Sequence, residues 1–314
     1  MQQATPLAGI VYYGPPAPFE VTGLDGKVRI EVGSEPVPLV ETDFLKLRGE
    51  APGYDELGRG IYQALRTDPG CRFAGRYAAW LKEGYPHYVS ELASNILMLG
   101  EKDVEVPYLD RRVNLLKIFA LMEPENGHFP LEIGSTLLDK GCRFSALHLS
   151  TVTLYKAAEY LERGLSLDPG NLRGISNLAE VYFLLGKYEK ASSLWNSLLP
   201  TLPEQSAGEV RGRLERIGKG ELPRVPAVDY LEAIAGAMAM KEDGDYLEAT
   251  AVLNDVMADA FFACEFPMPE IPYLLAQCCI SMGGNADART YLRSALRMNP
   301  DFAEAQSLLD QIQG

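Results

Sequence analysis

The sequence predicts a mainly α protein: an α-solenoid of helix-turn-helix repeats with a small N-terminal β-hairpin region. Small, aromatic and proline residues recur at fixed offsets through the C-terminal half, which signals stacked helix pairs. Apolar residues recur at helical spacing between Tyr54 and Met122. Pro6, Pro15, Pro16, Pro18, Pro36 and Pro38 forbid long helices in the first stretch of the chain.

Within that proline-rich stretch the pattern is one of short strands. Phe19 and Val21 alternate with polar neighbours, GLDGK supplies turn residues, and Val28, Ile30 and Val32 alternate against Lys27, Arg29 and Glu31. Together they predict a β-hairpin with one buried face. An isolated hairpin is marginal, so this one needs support from the first helices. It either caps the open N-terminal face of the array or adds a strand to a partner, and the need to cover a terminal repeat favours capping.

Helices follow. Ala64 and Leu65, then Tyr77, Trp80 and Leu81, then Leu92, Ile96 and Leu99 fall at helical spacing, with Gly or Pro between the groups. YDELGRGIYQALRTDPG and YLDRRVNLLKIFALMEPENG both end as the second helix of a repeat would. The domain reading is therefore a proline-rich hairpin or cap region over residues 1–50 and degenerate repeat-like helices over 51–128. Repeats proper occupy 129–302, and a capping helix occupies 303–314.

The clearest repeat runs from Asn171 to Glu204, with Ala179, Tyr182, Gly186, Tyr188, Ala191, Trp195 and Pro203 along it. Tyr182 and Trp195 are wedges between helices, and Ala179 and Ala191 are small where two backbones approach. Gly186 stands where the first helix must stop in a left-handed conformation, and Pro203 follows a second helix that it cannot continue. Ala276, Gly283, Ala288, Leu292, Ala295 and Pro300 take matching offsets near the C-terminus. A third unit carries Ala237, Gly244, Tyr246, Ala249 and Leu253, but Phe261 stands where the closing proline is expected, which predicts a longer second helix. A fourth ends in LYKAAEYLERGLSLDPGN, and extra residues separate that helix from a first helix around Gly134 and Gly141, predicting a bulged repeat.

This order of residues resembles the tetratricopeptide repeat family. The resemblance implies a superhelix of antiparallel helix pairs whose concave groove holds extended peptides or helices of other proteins. It places the groove on one face of each first helix. The matching positions are Arg173, Ser176, Asn177, Glu180, Phe183 and Leu184, then Leu231, Ile234, Met238, Lys241 and Glu242, then Glu270, Tyr273, Gln277, Ile280 and Ser281. From these, Arg173, Ser176, Asn177, Glu180, Leu231, Ile234, Met238, Tyr273 and Gln277 are the candidate partner-binding residues. Some relatives clamp the C-terminal carboxylate of heat-shock chaperones with Lys, Asn and Arg. Here Asn177 fits, but Ser135, Glu180, Leu231, Ile234 and Ala235 stand where other clamp groups belong, which argues against that function. The apolar middle suits a partner helix or an extended apolar segment. The competing reading makes Leu231, Ile234 and Met238 core.

Composition bounds the rest. The chain has 314 residues, 47% of them hydrophobic, enough for a substantial core. A formal charge of -14, from 43 acidic and 29 basic side chains, opposes unspecific nucleic-acid binding and favours solubility. No apolar run has the length of a membrane span, so no membrane insertion is expected. MQQATPLAGIVYYGPPAP lacks the order of a secretory signal, and five scattered cysteines agree with a reducing compartment, so the expected localisation is cytoplasmic.

The sequence carries no phosphate loop, dinucleotide fingerprint, nucleophile elbow or HExxH. No catalytic residue, metal or cofactor is therefore assigned. His87, His128 and His148 lack a second ligand at metal spacing and read as surface or packing residues. Adjacent Cys278 and Cys279 point about 100 degrees apart on a helix and read as packing. No nearby base marks Cys71 as reactive. EKDVEV, Glu123 and Glu125 read as solvated loop charges.

The functional reading is a non-enzymatic protein-protein interaction scaffold or chaperone-like adaptor, with a protein or peptide partner in the groove and self-association possible through an open repeat face. The alternative is a regulatory or accessory subunit of an enzyme, secretion or protein-modification complex, docking through the N-terminal region. An enzyme with a site assembled in the N-terminal half is a third class, which activity in the purified chain would support.

Overall fold

Helices dominate the computed structural model, which describes residues 7–24, 26–100 and 105–313. Glu101, Lys102 and Asp103 of the EKDVEV run lie outside the described residues, as do Asp25 of the hairpin turn and Pro6. The chain divides into two units, Met1–Thr136 with Arg163–Gly170, and Leu137–Glu162 with Asn171–Gly314.

The first unit begins with four strands, β1 (Ile10–Tyr13), β2 (Phe19–Gly23), β3 (Val28–Val32) and β4 (Val37–Val40). β2 and β3 form the expected antiparallel hairpin, Phe19 opposite Val32 and Gly23 opposite Val28. A second antiparallel pair joins β1 to β4, Ile10 opposite Val40 and Tyr13 opposite Val37, which local alternation did not reveal. Helices α1 (Glu41–Phe44), α2 (Tyr54–Thr67), α3 (Ala74–Gly84), α4 (Pro86–Gly100) and α5 (Val106–Met122) follow. One core joins strands to helices: Val21, Ile30, Val32, Val37 and Leu39 are buried with Leu57, Ile61, Tyr77 and Leu81. Tyr77 donates its hydroxyl to the Pro36 carbonyl at 2.6 Å, fixing α3 to the strand region. Gly60 lets α2 lie on β4, since a Cβ there would sit 1.9 Å from the Pro38 carbonyl oxygen.

α6 (His128–Cys142) leads into a 3-10 helix, Phe144–Leu149, and then α7 (Ser150–Leu167). The 3-10 turn is the bulge that the spacing predicts. Ser150 closes it, donating its hydroxyl to the Gly141 carbonyl at 2.7 Å.

The second unit continues with α8 (Leu172–Leu184) and α9 (Tyr188–Leu198), a 3-10 turn Leu199–Thr201, α10 (Glu204–Lys219), α11 (Ala227–Asp243), α12 (Tyr246–Ala258) and α13 (Ala260–Glu265). It ends with α14 (Glu270–Ser281), α15 (Asn285–Met298) and α16 (Ala303–Gln313). The pairs α8/α9, α11/α12 and α14/α15 pack together, and α12 packs on α14. Ala179, Ala191, Ala237, Ala249, Ala276, Ala288 and Ala295 are all fully buried, as close backbone approach requires. α16 covers the last apolar surface, burying Ala305 and Leu309 against Ala276, Cys279 and Leu292. No helix among the described residues is long and apolar enough to cross a membrane.

Each pair turns in the same way. Gly186, Gly244 and Gly283 have φ of 70, 91 and 83. In each turn the glycine N–H reaches back three residues, and the N–H of the next residue reaches back five. This is the Schellman pattern, which satisfies the last carbonyls of the first helix.

Two elements depart from the repeat. α10 is an additional helix between Pro203 and α11, and it ends at Gly220, φ 72, with the same hydrogen bonds. The second departure corrects the expectation of a lengthened helix at Phe261: α12 ends at Ala258, and Asp259 starts a new helix. Its Oδ1 accepts from the N–H groups of Phe261 and Phe262, both at 3.0 Å. Its Oδ2 accepts from the Arg224 N–H and the Tyr230 hydroxyl, both at 2.7 Å. Asp259 is 3% exposed. Burial alone would raise its pKa, but hydrogen bonds from the Arg224 N–H, Tyr230, and the Phe262 and Phe261 N–H groups outweigh it and hold it at about 2.

Two outcomes follow for stability. Gly244→Ala, with open space around its new Cβ, costs about 1 kcal/mol for the left-handed backbone. Gly186→Ala also drives a Cβ to 2.8 Å from the Pro226 ring, so it costs on the order of 2 kcal/mol in urea unfolding; equal losses would show that the Pro226 contact is irrelevant. Asp259→Ala strands four donors and costs on the order of 3 kcal/mol. Because the folded pKa is depressed, the Asp259 contribution is complete above about pH 4 and fades as pH falls towards about 2. The pH dependence of unfolding should lose this component in Asp259→Asn.

Candidate partner-binding surface

The face that α8 presents at positions 173, 176, 177 and 180 is set by helical periodicity, three or four residues per step. Asn171 starts this helix, accepting from the Gly174 N–H at 2.9 Å. Arg173 is exposed, and Ser176, Asn177 and Glu180 are half-buried. Phe183 and Leu184, on the adjoining side, are buried.

On α11 the structure withdraws two expected lining residues. Leu231 is 4% exposed and Ile234 is fully buried, so both belong to the core and cannot meet a partner. The physical reason lies in AVDYLEAIAGAMAM, which is apolar nearly all round and is therefore packed on several sides. α11 contacts α8, α12, α14 and the 3-10 helix Phe144–Leu149. Glu232 adds a hydrogen bond from the Thr151 N–H at 2.9 Å. Met238 stays half-buried.

Further along, the first helices do come together. Lys241 on α11 donates to the Gln277 side-chain oxygen on α14 at 2.8 Å. Tyr273, one turn before Gln277, is half-buried with its ring 5.0 Å from that of Phe302. Met238, Lys241, Tyr273 and Gln277 thus give a mixed strip of thioether, ammonium, phenol and amide groups.

At α8 the surface is closed by the chain itself. Arg213 of α10 donates to Glu180 at 2.5 Å and also to Glu265 at the end of α13, and Arg216 donates to Glu265 as well. The Arg213 guanidinium lies 5.3 Å from the Phe183 ring centre and 5.5 Å from that of Trp195. Burial works against its charge, but Glu180 and Glu265 together hold its pKa above the ordinary value. Glu265 has a side chain only 9% exposed, between two arginines. The void left beside Phe183, Arg213, Phe261 and Glu265 is about 10 Å³, at the lower limit for a single water.

Sequence reasoning missed this cluster because Arg213 and Glu265 are 52 residues apart. One signal was available: Gly220 closes LERIGKG as Gly186 closes its helix.

The remaining polar residues have local roles. Glu123 accepts from Asn126 at 2.9 Å and Lys82 at 3.4 Å, and the Asn126 bond, ahead of the lysine, lowers its pKa despite burial. Glu125 is exposed. His87 lies 4.1 Å from the Tyr88 ring and His128 packs on Phe129, while His148 is exposed. Cys278 and Cys279 are buried. Cys71 is half-buried, and burial followed by the nearby Asp68 charge raises its pKa, opposite to the shift that activates a thiol. Among the described residues, no group of three or more His, Cys, Asp or Glu side chains is placed to hold a metal.

A tetratricopeptide repeat family model matches residues 156–211 and 240–312. No curated protein matches the chain. Among solved structures, the tetratricopeptide repeat domain of P58(IPK) is similar over 87% of this chain and 67% of its own, at 16% identity and a TM-score of 0.34. A thermophilic tetratricopeptide repeat protein of Thermus thermophilus is similar over 72% and 98%, at 16% identity and a TM-score of 0.28. One from Parabacteroides merdae is similar over 87% and 96%, at 13% identity and a TM-score of 0.26. The matched segments hold helix pairs with buried alanines and left-handed glycine turns, and over those segments the chain is similar to the tetratricopeptide repeat family.

Proposed function

We propose that the chain is a non-enzymatic protein-protein interaction scaffold or chaperone-like adaptor that holds a partner helix or extended segment against its first helices. The observation that supports this reading most is the strip formed by Met238 and Lys241 on α11 with Tyr273 and Gln277 on α14, which joins two repeats by a hydrogen bond. Such a strip offers an apolar contact flanked by groups that hydrogen-bond a peptide. Arg173, Ser176 and Asn177 extend the surface onto α8 as far as Glu180, which Arg213 occupies, whereas Leu231 and Ile234 support it from beneath. A formal charge of -14 disfavours nucleic acid as the partner. Five unpaired cysteines fit a reducing compartment such as the cytoplasm.

A second reading has its own observation. A cavity of about 420 Å³ in the first unit is lined by Tyr12, Tyr13, Phe44, Leu45, Leu47 and Arg48, and Leu45 is 70% exposed. It favours an accessory subunit that docks through the N-terminal region.

Affinity capture from native extract separates the two. A partner retained by the intact chain should be lost with Met238→Asp/Tyr273→Asp and kept with Leu45→Asp, each variant being folded by circular dichroism. Loss with Leu45→Asp alone would move the binding site to the N-terminal strands. Ile234 is unsuitable for such a test, since a buried aspartate there would unfold the helix pair.

A further inference from the structure

We infer that α10 is a ligand built into the chain, seated in a cradle whose chemistry fits an arginine-bearing amphipathic helix of a partner. The cradle comprises Glu180 and Phe183 of α8, Trp195 of α9, Glu265 of α13 and Phe266 immediately after it. It deepens the proposed reading of the α8 face as a partner-binding surface and rests on that reading.

Four observations carry the inference. First, α10 packs on α9 and on the 3-10 turn Leu199–Thr201, and it reaches Glu180 and Glu265 through its arginines. Of its sixteen residues only Ala207 is buried, while Val210, Leu214 and Ile217 are half-buried. Arg213 and Arg216 reach Glu180 and Glu265 from one face of the helix. Second, α10 cannot be the first helix of a repeat. One period of about 34 residues after the small Ala179 falls on Arg213, and a guanidinium excludes the close backbone contact that an alanine allows. Third, α10 has a stop at each end, Pro203 before it and left-handed Gly220 after it, with Pro223 and Pro226 ahead of α11. Fourth, the cradle is preorganised by elements other than α10. Asp259 caps α13, and Phe183, Phe266 and Phe262 form a chain of ring contacts at 6.3 and 5.3 Å.

Removing α10 from this seat would leave two carboxylates beside two aromatic faces. Carboxylates fork onto guanidinium groups, and aromatic faces attract them. The matching partner segment is a helix with two arginines three residues apart and apolar residues on the adjoining stripe, the arrangement of Val210, Arg213, Leu214, Arg216 and Ile217. Charge complementarity supports this occupant, because the chain as a whole is acidic. A partner helix of that kind competes with α10 for one site, so the intact chain binds it more weakly by the fraction of time the seat is taken.

The test uses a fluorescent peptide with the sequence of residues 204–219 and measures its anisotropy with the full chain. Arg213→Gln/Arg216→Gln should bind the peptide at least about tenfold more tightly than the intact chain. A peptide with Arg213 and Arg216 replaced by glutamate, Arg211 being kept, should bind neither. Equal affinity for the intact chain and a folded double variant would overturn the inference, as would binding of the glutamate peptide. A second measurement needs no variant: hydrogen exchange of the intact chain should show α10 amides accelerating between about 0.05 and about 0.5 M salt, with α8 and α9 unchanged. Salt-independent exchange in α10 would also overturn it. Neither result bears on capture by the Met238 and Tyr273 strip, so failure here leaves the wider reading to its own test.

Discussion

The pairs α8/α9, α11/α12 and α14/α15 each turn through one residue with a left-handed backbone, and at Gly186, Gly244 and Gly283 a glycine takes it at low cost. The three turns repeat one hydrogen-bond pattern, so each second helix leaves its first in the same way. Fully buried alanines then let the helices approach, and the first-helix side chains fall into register along neighbouring pairs. The hydrogen bond from Lys241 to Gln277 is a direct product of that register. Recognition in such a scaffold is a property of side chains displayed on a fixed lattice of helices, and the lattice is set by these turns.

The chain departs from the lattice at α10 and at α13, and the two departures meet. Asp259 converts what would have been a longer helix into a corner and turns α13 so that Glu265 faces α10. A carboxylate as enclosed as that of Glu265 is costly without partners, and Arg213 and Arg216 supply them. Arg213 in turn spans to Glu180 on the first helix of the preceding pair. One ionic cluster therefore ties an inserted helix to a repeat helix.

How much of this was legible depended on how local the cause was. Alternation in FEVTG and VRIEV gave the β2–β3 hairpin, and the spacing of Tyr77, Trp80 and Leu81 gave α3, because each pattern lies within one element. The pairing of β1 with β4 joins strands far apart in sequence, with Pro38 interrupting the second, and neither strand announces its partner. α10 escaped notice because polar residues dominate EQSAGEVRGRLERIGK, leaving no broad apolar stripe. At the candidate surface, the offsets placed Glu180 and Gln277 on first helices. They did not reveal that Glu180 is engaged by Arg213, nor that the apolar circumference of α11 takes Leu231 and Ile234 inward. Repeat spacing fixes which helix a residue is on, whereas burial depends on every neighbour that helix acquires.

The central claim is that partners are held on the first-helix face of the second unit. The most direct measurement is hydrogen exchange on the chain with its captured partner bound, compared with the chain alone. The account predicts protection concentrated in residues 173–180, 238–241 and 273–277, the segments that carry the candidate residues of that face. Protection confined to residues 10–13 and 41–50, with the first helices of the repeats unchanged, would contradict it and place recognition at the N-terminal strands.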